Sequence, residues 1–314
     1  MATALVSGGA GFIGSHLCDR LLAEGYRVVA VDDLTTGRIA NLAEARSYGK
    51  QFTFTHMDIR SEGIRTLAAR HKPDVIYHLA AQASVEASMR DPLADASINV
   101  IGLLNVLEAA AGASVRKVVV AGSGGTLYGN PRRFPVKEIA RRGAHPVSPY
   151  GITKKVAEDY LMFYRRRHEV DFTMLALGNV YGPRQDPHGE AGVVAIFGQK
   201  MLSGQAPVIF GDGEQTRDYV YVDDTVHAFA LAAERGSGEV VNIGTGVQTS
   251  VNRIFEVIAG LTGFVRPPVS GPPREGDVRR SALSNDLAAA ERGWRPWTGI
   301  EEGLKATVES LRPR

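Results

Sequence analysis

The 314-residue sequence contains a single cysteine, Cys18, so an internal disulfide and a cysteine-built metal site are both excluded. Cys18 falls inside an apolar helical pattern, the setting of a packed thiol and not a reactive one. The eight histidines show no close ligand spacing, so no metal is expected. His78 and His227 sit in apolar surroundings and read as packed, hydrogen-bonded residues. An excess of one charge is also missing: 36 Lys and Arg oppose 34 Asp and Glu, a formal net charge of +2. The densest basic run (Arg165, Arg166, Arg167) reads as a wet helix end, and nucleic acid is not an expected partner. No apolar run reaches the ~18–20 residues that cross a bilayer, so no membrane partner is expected. No basic stretch with an apolar signal core opens the sequence, and a soluble cytoplasmic protein is the expectation.

What is present is an ordinary globular mix, 44% hydrophobic and 22% charged, with enough apolar side chain for a sizeable core. The length suits one large unit and a smaller one. Short β-branched runs at residues 4–6, 27–31, 52–55, 75–77, 117–121 and 172–177 alternate with helical patterns at 13–23, 64–70, about 84–111 and 149–167. Strands separated by helices imply right-handed crossovers and a buried, doubly wound parallel sheet, an α/β fold of the Rossmann type. After about Gly182, glycines, prolines and short elements dominate, as in Gly211-Asp212-Gly213 and Pro272-Pro273. We expect a dinucleotide-binding domain over 1–180, with strand and helix returns from the second half, and an interleaved α/β substrate lobe over 181–314. Residues 300–311 read as a closing amphipathic helix, and Asp223-Asp224 as a helix N-cap.

Ser7-Gly8-Gly9-Ala10-Gly11-Phe12-Ile13-Gly14 places Gly8, Gly11 and Gly14 at the turn from first strand to first helix. Glycine is needed there for the tight turn, for approach of the backbone to a pyrophosphate, and for packing of helix on sheet. The pyrophosphate then meets free N–H groups and the positive end of the helix. Asp32 closes the next strand at the spacing the motif requires, ready to accept from the adenosine ribose hydroxyls. Its charge repels a 2′-phosphate, which favours NAD over NADP, although nearby Arg38 could receive such a phosphate.

Tyr150-Gly151-Ile152-Thr153-Lys154 puts a phenol and an ammonium four residues apart, on one face of a helix. A neighbouring Lys⁺ and an oxidised nicotinamide both stabilise the phenolate and bring it towards use as a general base. With these residues the sequence resembles the extended short-chain dehydrogenase/reductase family, over essentially its whole length, and within it the branch that epimerises UDP-sugars at C4. The resemblance rests on the glycine turn, on Val31-Asp32-Asp33-Leu34, Asp58-Ile59 and His78-Leu79-Ala80-Ala81, and on Asn99. It continues through Ser148-Pro149-Tyr150-Gly151, Asn179-Val180-Tyr181-Gly182-Pro183-Arg184, Thr216-Arg217-Asp218-Tyr219-Val220 and Arg274-Glu275-Gly276-Asp277.

The resemblance implies NAD-dependent 4-epimerisation through a transient 4-keto sugar, foremost of UDP-glucose and UDP-galactose, in a homodimer built from the helices near 98–110 and 156–163. It implies a cofactor set of Gly8, Gly11, Phe12, Ile13, Gly14, Asp32, Asp33, Thr36, Gly37, Asp58, Ile59, Leu79, Ala80, Ala81, Asn99, Tyr150 and Lys154. Substrate would meet Ser84, Ser123, Thr126, Tyr150 and Asn179, with Arg217 and Arg274 on the diphosphate and Asp277 on the uridine ribose. One position departs from the family pattern: four residues before Tyr128, where the family places a catalytic Ser or Thr, stands Gly124. Ser123 and Thr126 are the two candidates for the missing hydroxyl. Related dehydratases and decarboxylases carry a carboxylate just after that position, whereas here Gly125 and Thr126 follow. Ser281, Leu177, Gly178, Gly124 and Gly125 suggest a pocket roomier than glucose needs, which keeps UDP-glucuronate and UDP-N-acetylhexosamines open. A non-catalytic NAD-binding sensor is the alternative of another class; the Tyr150–Lys154 pair argues against it.

Overall fold

The computed structural model describes residues 1–187, 192–273 and 278–312. The β-branched runs become strands β1 (Thr3–Ser7), β2 (Arg27–Asp32), β3 (Phe52–His56), β4 (Val75–His78), β5 (Lys117–Ser123) and β6 (Asp171–Leu177). Shorter strands follow: β7 (Asn179–Tyr181), β8 (Val208–Phe210), β9 (Thr216–Arg217), β10 (Tyr219–Tyr221), β11 (Glu239–Ile243), β12 (Thr249–Ser250) and β13 (Val269–Gly271). Seven of them form one parallel sheet in the order β11-β6-β5-β4-β1-β2-β3. The order reverses between β1 and β4, and a ligand crevice belongs at the carboxyl ends of the strands beside that switch. In register there lie Ser7, Val31 and His78, and, across β5, Ser123 opposite Leu177.

Both faces of the sheet are covered, as continuous apolar strands require. Leu17, Leu21 and Phe229, from the helices Phe12–Ala23 and Val222–Ala232, are buried on one face. Leu103, Leu107 and Leu161, from Gly102–Gly112 and Pro149–His168, fill the other. The C-terminal helix Ile300–Ser310 closes the second half of the chain by burying Leu304 and Val308.

Three readings change. The expected helix over 84–111 breaks at Asp91-Pro92, because proline offers no N–H and Asp91 caps a new helix by accepting from Ala94 N at 2.9 Å. That helix, Pro92–Ala96, runs through a π turn at Ser97–Ile101 into Gly102–Gly112. The whole run Pro92–Gly112 is, by length and composition alone, long and apolar enough to span a bilayer, contrary to the sequence count. Here it packs beside the Pro149–His168 helix, with 44% of its most apolar window buried. Finally, Asp224 does not cap its own helix. Its buried carboxylate accepts from Thr298 N and Thr298 Oγ1, both at 3.2 Å, and so anchors the C-terminal segment.

Candidate active site

At the end of β1 the backbone leaves no room for side chains. Gly8 has φ +72°, and a Cβ there would stand 2.7 Å from Ala80 N and 2.9 Å from the Leu79 carbonyl carbon. A Cβ on Gly14 would lie 2.0 Å from Gly8 O. The helix Phe12–Ala23 starts at Gly11 without a side-chain cap, so its first N–H groups stay available to an anion. Phe12 and Ile13 are half-buried in its first turn. Asp32 is buried, with Oδ2 accepting from Ala10 N at 3.0 Å and Oδ1 from Leu34 N at 2.8 Å. Each oxygen keeps a lone pair for a ribose hydroxyl. Gly37 passes close beneath, where a Cβ would meet Oδ1 at 2.5 Å. Asp33 and Thr36 stand exposed at the rim. Arg38 is paired with Asp186 at 2.9 Å and is not held out for a phosphate.

Asp58 receives the Arg60 guanidinium, with Nε at 2.9 Å from Oδ2, and this hydrogen bond holds its carboxyl below the usual range. Ile59 is buried under Gly102, whose missing side chain makes that contact possible. Leu79 N donates to Ser7 O at 3.0 Å, which fixes the loop carrying Ala80 and Ala81 against the glycine turn. Asn99 is buried, with Oδ1 accepting from Gln82 N at 2.9 Å. A cradle that any Cβ would fill, an uncapped helix end and a buried carboxylate at the strand tip together fit a dinucleotide. Gly8→Ala is therefore expected to yield folded protein without bound dinucleotide, checked by the absorbance and nucleotide content of the purified protein.

The helix Pro149–His168 begins where the sequence signals it, with Pro149 in its first turn and Ser148 Oγ accepting from Gly151 N at 3.2 Å. It buries Tyr150 and Lys154 at the crevice. Lys154 Nζ lies 5.6 Å from the Tyr150 ring centroid and donates to Ala121 O at 3.0 Å. Burial pushes the Tyr150 phenol up to about 12, opposed by a hydrogen bond from the Ser123 hydroxyl. Burial also lowers the Lys154 ammonium to about 8, opposed by the negative charge of Asp95. His78, hydrogen-bonded through Nδ1 to Ser7 Oγ at 2.8 Å, is held neutral by burial, its value down at about 3.

Of the two candidate hydroxyls, Ser123 is the one that acts to lower the phenol. Thr126 Oγ1 is buried without a hydrogen-bond partner among the described residues. The departure at Gly124 has a steric cause: a Cβ there would lie 2.3 Å from Leu283 Cδ1. Leu283 is itself held in place, its N–H donating to Asp218 Oδ2 at 2.8 Å. The buried Asp218 carboxylate also accepts from Thr245 N at 2.7 Å and Gly246 N at 3.0 Å, binding three loops at one point.

Gly178 is filled in the same manner, since a Cβ would meet Asp218 O at 2.8 Å. Neither glycine therefore enlarges the pocket, which corrects the reading of a roomy site. Leu177 is buried in the core; Gly124, Gly125 and Ser281 line a small cleft with Phe134 and Arg280, and of the three glycines only Gly125 has room for a Cβ.

Asn179 is exposed on β7, its N–H donating to Asp218 O at 2.7 Å, which brings it beside β9 and Arg217. Arg217 Nη1 donates to Thr216 O at 2.8 Å and Val278 O at 2.5 Å. Ser84 Oγ accepts from Ala87 N at 2.8 Å as a helix cap, leaving its proton for a ligand. Arg274 and Asp277 lie outside the described residues. Two contributors escaped the sequence reading, Asp218 and Asp95. The signal for Asp95 was an acid one helical turn beyond Asp91, inside the apolar stretch that follows Pro92.

A family model described as the NAD dependent epimerase/dehydratase family matches residues 4–244. Over 309 residues the chain is 50% identical to the UDP-glucose 4-epimerase of Mycolicibacterium smegmatis, covering 98% of both. Among solved structures it is similar to the Thermotoga maritima UDP-glucose 4-epimerase with UDP-glucose, at a TM-score of 0.94 and 48% identity over 98% of both chains. The Thermus thermophilus UDP-glucose 4-epimerase complex with NAD gives a TM-score of 0.90 and 40% identity, again over 98% of both.

Proposed function

The chain belongs to the NAD dependent epimerase/dehydratase family, and we propose that it interconverts UDP-glucose and UDP-galactose by inverting C4. NAD is its cofactor. The observation that carries the reading is the buried Tyr150 phenol with Lys154 beside it, at the end of the strands that carry Ser123 and the glycine cradle.

Residues 1–180 with β11 would hold NAD, through Gly8, Gly11, Gly14 and Asp32; Asn179, at the end of that unit, and Arg217 and Arg274 from residues 181–314 would hold the nucleotide diphosphate, and Asp277 the uridine ribose. Bound NAD supplies a hydride acceptor and returns the hydride, so the net redox change is zero. Tyr150 as phenolate takes the proton from the sugar O4 and gives it back after the 4-keto sugar has turned about its diphosphate linkage. Lys154, charged and buried, favours the phenolate. Ser123 holds O4 and the phenolate in one hydrogen-bonded line. Since Thr126 does not reach the phenol, Ser123→Ala is expected to lower kcat about a hundredfold and Thr126→Val less than tenfold, read from initial rates at saturating substrate.

The deciding experiment offers UDP-glucose, UDP-glucuronate and UDP-N-acetylglucosamine separately and resolves products by NMR. Inversion at C4 of none of them would overturn the proposal. A second reading, UDP-glucuronate, is favoured by Arg280, whose guanidinium stands over the Phe134 ring at 5.5 Å and borders the Gly125 cleft, where it could meet a C6 carboxylate. The enzyme is further proposed to be a homodimer. Leu93, 82% exposed, with Ile101, Ile152 and Phe163, leaves an apolar surface on the two helices that a second copy would cover.

A further inference from the structure

Behind the reacting pair, Asp95 is completely buried, and among the described residues no Lys or Arg nitrogen comes within 4.0 Å of its carboxylate. Three neutral donors hold it instead: Gln82 Nε2 at 2.8 Å, Asn99 Nδ2 at 3.0 Å and Thr153 Oγ1 at 3.0 Å. Each donor belongs to a different part of the site. Thr153 lies on the catalytic helix between Tyr150 and Lys154, Gln82 in the loop that follows Leu79–Ala81, and Asn99 in the π turn. Asn99 closes the ring by accepting from Gln82 N and donating towards Gln82 O at 3.0 Å. Thr153 has one proton and two acceptors in reach, Asp95 Oδ2 at 3.0 Å and Tyr150 O at 2.9 Å, and the charged acceptor is the stronger.

A buried carboxylate without a touching cation costs stability, and an apolar residue would fill that space more cheaply. The geometry points to Asp95 as a positioning residue, a carboxylate clamp that sets the register of the catalytic helix against the cofactor loop and the π turn. This rests on the reading of Tyr150 as the base. The clamp also places a fixed negative charge near both members of the pair. The groups facing Tyr150 are Lys154 on its own helix, Ser123 from β5 and Asp95; those facing Lys154 are Asp95 and His78 from β4.

The test uses the NAD-loaded protein and two variants. Asp95→Asn keeps the shape and removes the charge, whereas Thr153→Val opens the clamp and keeps the charge. In Asp95→Asn, kcat is expected to fall about tenfold with KM for UDP-glucose within about twofold. The phenol titration of Tyr150, taken as the ultraviolet difference against Tyr150→Phe, moves to lower pH, because the charge that opposes phenolate is gone. The acid limb of kcat moves with it. In Thr153→Val, kcat falls by a similar factor and the phenol titration stays in place. A purely structural role for Asp95 would leave the titration unmoved. Wild-type kcat in either variant, or an unshifted titration in Asp95→Asn, overturns the clamp. If the unaltered protein epimerises no UDP-sugar yet its phenol titration shifts in Asp95→Asn, the functional reading fails and the clamp stands.

Discussion

Tyr150→Phe is expected to lower kcat by about a thousandfold or more while NAD and UDP-sugar stay bound. The substitution removes one oxygen from a fully packed position, so neither cavity nor backbone change accompanies it. What is lost is the group proposed to take the proton from O4. The wild-type pH dependence should show the same group at work. Burial, helped by the Asp95 charge, holds the phenol high against the Ser123 hydroxyl, and by its charge the neighbouring Lys154 and an oxidised nicotinamide would act to lower it. Because the deprotonated form is the active one, kcat rises with pH until the coupled pair has lost one proton, and the apparent value belongs to the pair. Tyr150→Phe should flatten that rise. The measurement is initial rate against pH at saturating UDP-glucose, with NAD content and substrate affinity as controls. A variant within tenfold of wild type would remove Tyr150 from its role.

Lys154→Met is expected to be the second most damaging change and, at the same time, a stabilising one. Activity should fall about a hundredfold to a thousandfold, since the buried positive charge that favours the phenolate disappears. Stability moves the other way. In the unfolded chain the ammonium titrates near its ordinary 10.5, in the folded protein near 8, because burial disfavours the charged form. Below pH 8 the folded state therefore carries the full cost of a buried charge, on the order of 3 kcal/mol. The lost hydrogen bond to Ala121 O offsets about 1 kcal/mol of that. With NAD removed from both proteins, the variant should melt roughly 5 °C higher at pH 7. Between pH 8 and 10.5 the unfolded wild type binds more protons than the folded one, so wild-type stability rises with pH and the difference shrinks. A variant that melts lower than wild type at pH 7 would contradict this account.

These two residues show how unevenly the site was legible. Tyr150 and Lys154 stand four residues apart on one helix, Gly8, Gly11 and Gly14 in one turn, and Asp32 at the next strand end. Each relation is local, set by helical period, by strand length or by the room a Cβ needs, and local relations are written in the order of residues. The same holds for the six strands of the first 180 residues. By contrast, the break at Asp91-Pro92 was hidden because the apolar pattern ran on past it.

Gly124 illustrates the rest. As a letter in the sequence it marked a missing hydroxyl and a roomier pocket; in the fold Leu283, carried on Asp218, occupies that volume, and Ser123 is the hydroxyl proposed to serve in its place. Arg38 was open to a phosphate until Asp186 was seen beside it. Asp95 gave no sign of serving the catalytic helix until Thr153 and Gln82 closed on it. The sequence alone determined the parallel α/β sheet, the dinucleotide turn and the Tyr–Lys pair, because those depend on steric and periodic rules acting over a few residues. Only the tertiary structure decided what fills the space at Gly124, what pairs with Arg38 and how the helix is held. Those depend on contacts between segments far apart in the chain, and nothing short of the packed fold specifies them.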